Sequence, residues 1–132
     1  MTLHPAVIVH GLGDARTALA PGLPVTLLSA PGAALYAGCG WWQAVLAAAR
    51  QAFPATDAEN LLDCADAPGR ALEALRSGLR NLVLDPTCPT FPAVERVAAV
   101  LGARILPLPP PALDLGEPGA VRRLPAWLAS AR

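Results

Sequence analysis

The 132-residue chain contains no lysine, because all ten of its basic residues are arginine. That excludes a Schiff-base lysine, a lysine general base and the phosphate lysine of a Walker-type loop. Charge of either sign is scarce at 15% of residues, and the formal net charge is +0. The arginines are scattered, with no basic stripe to neutralise a phosphate backbone, so no nucleic-acid partner is expected. No apolar run approaches the length of a membrane span, so no membrane association is expected. The segment Met1-Thr2-Leu3-His4-Pro5 lacks the charged and apolar regions of a signal peptide. The three cysteines are an odd number, and no C-x-x-C or H-x-x-x-H spacing occurs. This composition predicts free thiols in the cytoplasm and no metal site.

Hydrophobic residues make up 54% of the chain, and much of that is alanine, which suits close packing of helices on a sheet. The length fits one domain, which buries about two-thirds of its unfolded surface. Five short apolar runs read as strands: 6–10, 24–30, 60–64, 81–85 and 104–108. The first, second and fourth are almost continuously apolar, the pattern of strands covered on both faces. The fifth contains Pro107, which cannot donate to a ladder, so it belongs at a sheet edge.

Helical patterns fill the gaps. Residues 14–20 form a short segment with Asp14 as its expected cap. Residues 39–53 put Trp42, Val45, Leu46, Ala49 and Phe53 on one stripe. A third helix covers 68–77, with Asp66 as the expected cap and Gly78 as the stop. A fourth runs from a Thr90 cap to Gly102, with Val94, Val97, Ala98 and Leu101 inward.

Alternating strands and helices predict an α/β fold in three layers (α/β/α), with a five-stranded, mostly parallel sheet. The element order resembles that of the flavodoxin-like group. The resemblance implies strand order 2-1-3-4-5, with a ligand-binding switch point between the first and third strands. Residues 1–108 form the expected core. Residues 109–132 form a proline-rich extension, in which 113–119 read as a loop and 125–131 as a short helix. That helix would pack on its own domain or on a neighbouring subunit.

Each strand is followed by a polar or reactive residue, and parallel pairing gathers these at one end of the sheet. His10 ends the first strand, where a histidine acts as a base or a ligand contact. Gly11-Leu12-Gly13 follows, but Arg16 stands where a dinucleotide loop needs its third glycine, and Ser29 rather than an acidic residue closes the second strand. A small anion could still meet the open N–H groups of this helix start. Ser29 lacks the G-x-S-x-G elbow of a serine hydrolase. Cys39 lies at a helix start, where a thiolate is favoured, and with His10 it would form a nucleophile–base pair. Asp63 and Cys64 close the third strand on opposite faces, and Asp85 closes the fourth.

These residues support three readings. The first is small-molecule binding at the strand C-terminal ends by His10, Gly11, Gly13, Ser29, Cys39, Asp63, Cys64 and Asp85, the ligand being small and anionic. The second is a thiol enzyme with Cys39 as nucleophile and His10 as base. The third is a non-catalytic subunit that forms a homo-oligomer through Trp41 or Trp42 and the C-terminal helix. No cofactor is indicated by any motif.

Overall fold

The computed structural model describes residues 3–130. The protein is an α/β fold whose parallel strands form a six-stranded sheet. In chain order the elements are β1 (Ala6–Val9), α1 (Leu12–Leu19), β2 (Val25–Ser29), α2 (Ala33–Tyr36), α3 (Gly38–Ala52), β3 (Ala58–Asp63), α4 (Pro68–Arg76), β4 (Asn81–Val83), α5 (Phe91–Leu101), β5 (Arg104–Leu106), β6 (Ala112–Asp114) and α6 (Ala120–Ala129). The strand order is β5-β4-β3-β2-β1-β6. The chain divides into two compact units. One contains β1, α1, β2, most of α3, the start of β3, β6 and α6. The other contains α2, the start of α3, the rest of β3, α4, β4, α5 and β5. No helix among the described residues is long and apolar enough to cross a membrane.

In the first unit β1 is flanked by β2 and β6, both parallel to it. Val7 pairs in register with Leu27 on one side and Leu113 on the other. Every residue of β2 is buried, including Thr26 and Ser29, which matches its almost continuously apolar run. Thr26 satisfies its hydroxyl by donating to the His4 carbonyl at 2.9 Å. Each fully buried leucine here, such as Leu19 or Leu27, contributes about 2 kcal/mol of burial free energy.

This arrangement corrects the expected 2-1-3-4-5 order. The second edge of β1 is taken by β6, so β3 is not its neighbour. The sheet has six strands rather than five because residues 112–114, expected to lie in an irregular segment, add as an edge strand. Leu113 and Leu115 are buried and Asp114 is partly exposed, a period of two. The turn residues Gly116, Pro118 and Gly119 immediately after them hid this alternation.

The C-terminal helix also differs from its expectation. It spans Ala120–Ala129 and carries Pro125 inside it rather than at its start. An interior proline forgoes one backbone hydrogen bond. Burial of Ala120, Leu124 and Leu128 compensates, and Trp127 donates its indole N–H to the Ala6 carbonyl of β1 at 2.8 Å.

In the second unit β3, β4 and β5 run parallel, with β5 outermost. β5 stops at Leu106, one residue before Pro107, as the missing proline N–H demands. Helix α5 ends at Gly102 in the left-handed region, φ +70°, where its N–H reaches the Ala98 and Ala99 carbonyls. Thr90 occupies the N-cap position of α5 without a side-chain cap bond. Asp66 is not the cap of α4, because Ala67 holds that position and Pro68 opens the helix. The four-residue α2, with Ala33 and Ala34 buried, carries no sequence signal of its own.

Candidate functional site

β1 leads through α1 to β2, on the side away from β6. β6 leads into α6 with no further strand among the described residues, so the C-terminal ends of β1 and β6 pass into different helices. The switch point expected between the first and third strands does not occur, because β3 is not beside β1. His10 directly follows β1, and Asp114 is the last residue of β6. His10 Nε2 lies 2.6 Å from Asp114 Oδ1. An ionised carboxylate only accepts, so the bond puts a ring proton on Nε2. Asp114 Oδ1 also accepts the Gly116 N–H at 2.8 Å. Burial works to raise the Asp114 pKa. The bonds from His10 and Gly116, and the charge of His10, outweigh it and hold the carboxyl below its usual value.

The His10 side chain is 42% exposed. Its Nδ1 takes no hydrogen bond from any described residue. The His10 N–H donates to Asp14 Oδ2 at 2.9 Å, so Asp14 folds back from the first turn of α1 onto the chain before it. Asp14 thus stabilises the helix start from inside the helix, while Gly11 holds the N-cap position. A Cβ built on Gly11 or Gly13 would meet nothing within 4 Å, so open space lies in front of both. Asp114 is the member of this candidate site that the sequence did not single out. Its only signal was the Leu113-Asp114-Leu115 alternation.

The ends of β3, β4 and β5 lie in the second unit. A hollow of about 380 Å³ lies at the ends of β3, β4 and β5, and its wall includes Asp63, Ala65, Asp85 and Thr87. Two of the anticipated ligand residues, Asp63 and Asp85, therefore share one cavity. Asp63 is buried and accepts the Ala65 N–H at 2.8 Å, with Ala65 held at φ +48°. Asp85 is exposed, and its Oδ1 accepts both the backbone N–H and the hydroxyl of Thr87 at 2.8 Å. These bonds lower the Asp85 pKa, the backbone bond most.

Cys64 is fully buried, and its Sγ turns to the Leu62 carbonyl at 3.8 Å. Burial pushes its thiol up to about 12, with the neighbouring Asp63 and Cys39 adding to the shift. Cys39 does lie in the first turn of α3, buried, with Sγ 3.8 Å from Glu73 Oε1. Ser29 is buried at the end of β2 and donates to the Ala30 carbonyl at 3.2 Å. Trp42 is fully buried and so belongs to the core rather than to an outer face. No group of three or more His, Cys, Asp or Glu among the described residues is arranged to hold a metal ion.

No protein-family model matches the chain, and no curated protein matches it in sequence.

Proposed function

We propose that the protein binds a small molecule at the C-terminal ends of its strands, with His10 as the group that meets it. The observation that carries this reading is the 2.6 Å bond between His10 and Asp114 at the β1–β6 boundary. The carboxylate fixes the ring and holds a proton on Nε2. That leaves Nδ1 to accept a hydrogen bond or a proton from a bound molecule. The space beside Gly11 and Gly13 admits such a molecule. An anion would meet the N–H groups of the first turn of α1 there. Asp63 and Asp85 provide a second set of strand-end contacts in their own unit. The buried free thiols of Cys39, Cys64 and Cys88 favour a cytoplasmic setting.

A nuclear magnetic resonance titration tests the reading, with acetate, inorganic phosphate, glucose and adenosine monophosphate as probes. Binding should move the His10 ring signals and should weaken at least about tenfold in His10→Gln. If all four probes leave those signals unmoved at about 10 mM, the reading fails.

A thiol enzyme with Cys39 as nucleophile and His10 as base receives less support. The Cys39 thiol is buried and directed at Glu73 Oε1, 3.8 Å away. Self-association has one observation in its favour. Val97 and Leu101, expected to face inward, instead form with Val100 an exposed apolar stripe on α5, with Val100 87% exposed. A second copy would cover it. Sedimentation of Val100→Glu against the parent chain tests this, since a shared monomeric profile at about 100 μM removes the reading.

A further inference from the structure

We propose that the hollow between β6 and α6 is a separate binding site, for a small organic carboxylate with a flat apolar body. It has a volume of about 770 Å³, within the usual range for small-molecule sites. Its wall joins Leu113 and Asp114 of β6 to Arg122, Arg123 and Trp127 of α6, with Glu117 from the turn between them.

The charged groups in this wall are not equally engaged. Glu117 Oε2 lies 3.7 Å from Arg123 Nη2, so that pair balances itself. Asp114 is engaged by His10 and by the Gly116 N–H. Arg122 has no ion-pair or hydrogen-bond partner among the described residues. Its guanidinium lies against Gly119, where an added Cβ would sit 3.2 Å from Nη2. Gly119 also has φ +79°, so both the backbone and the guanidinium favour glycine there. Arg122 is thus the charged group of this wall whose donors are unmatched among the described residues, a planar cation whose fork matches a carboxylate.

The second element is Trp127. Its N–H is committed to the Ala6 carbonyl at 2.8 Å, which sets the orientation of the indole. The ring is half-buried and forms part of the wall. A flat apolar group can stack on such a surface. An extended peptide is a poorer fit. β6 has only three residues, and the Asp114 carbonyl already accepts the Glu117 N–H at 3.1 Å, so little strand edge remains for pairing.

This site is independent of the His10 reading, although Asp114 stands in both walls. Isothermal titration with phenylacetate, 2-phenylethanol and phenethylamine separates the two. Phenylacetate should bind at least about tenfold more tightly than either other probe. Arg122→Gln should remove that preference, and Trp127→Leu should weaken phenylacetate by about tenfold. In His10→Gln phenylacetate should keep its preference over the alcohol, because Arg122 remains in place. Arg122 is exposed, so its substitution should leave the melting curve unchanged and the comparison valid. The inference is overturned if phenylacetate gives no heat up to about 10 mM, or if the alcohol binds as well. It is equally overturned if phenylacetate binding survives Arg122→Gln and is lost in His10→Gln.

Discussion

Gly116 leaves the space that His10 fills: a Cβ at position 116 would stand 2.8 Å from His10 Nε2 and 3.1 Å from Asp114 Oδ1. The imidazole and the carboxylate can meet only because nothing projects from the turn after β6. Gly116→Ala should therefore swing the exposed His10 ring away and break its bond to Asp114. The stability cost should be small, about 1 kcal/mol or less, because the group that yields is the end of a side chain. The His10 ring shifts report the displacement, and unchanged shifts would show that the ring does not depend on this space.

The His10–Asp114 bond also has a pH signature. The Asp114 pKa is lowered in the folded state, burial opposing the change and the His10 and Gly116 bonds driving it. A depressed carboxyl adds stability that is fully present above its unfolded value of about 4 and is lost as pH falls through the folded value. Asp114→Asn should thus be less stable than the parent chain at pH 6, and the gap should close toward pH 2. Chemical denaturation at the two pH values measures it. A gap that stays constant would mean that the Asp114 charge does not contribute.

The cysteines should differ in reactivity. Cys64 is buried with its pKa pushed up to about 12. Against an ordinary thiol near 9 its thiolate population falls about a thousandfold. Iodoacetamide at pH 8 should leave Cys64 unmodified in the folded protein and label it once denaturant is added. If the thiol reading were right, Cys39 would label far faster than Cys64 and Cys88. Equal slow labelling of all three removes that reading.

The two tryptophans with defined N–H surroundings should respond to loss of the N–H for different reasons. Trp127 donates to the Ala6 carbonyl, so Trp127→Phe should cost about 1 kcal/mol for the lost bond. The N–H of Trp42 is buried without a partner among the described residues. Trp42→Phe relieves that unsatisfied donor and should cost less than about 1.5 kcal/mol despite the smaller ring, whereas Trp42→Ala should cost about 3–5 kcal/mol. Thermal or urea denaturation of the three variants tests the contrast.

Much of the fold is legible in the chain because local rules act over a few residues. The almost continuously apolar run at 24–30 reads as a strand covered on both faces, and the structure buries every residue of Val25–Ser29. Gly102 ends α5 in the left-handed region that few other residues tolerate. Pro107 keeps β5 short and at an edge. The ends of the strands were also readable, and Asp63 and Asp85 do share a cavity.

What the tertiary structure alone decided is which strand lies beside which. The edge of β1 is apolar on both sides and accepts any parallel partner of matching pattern, so nothing local chooses β6 over β3. The choice rests on contacts made across the chain: Leu113 buried against β1, and Trp127 bonded to the Ala6 carbonyl. That pairing carried Asp114 to His10 across 104 positions of sequence. Local propensity made His10 the end of a strand, and long-range packing supplied the carboxylate that orients it.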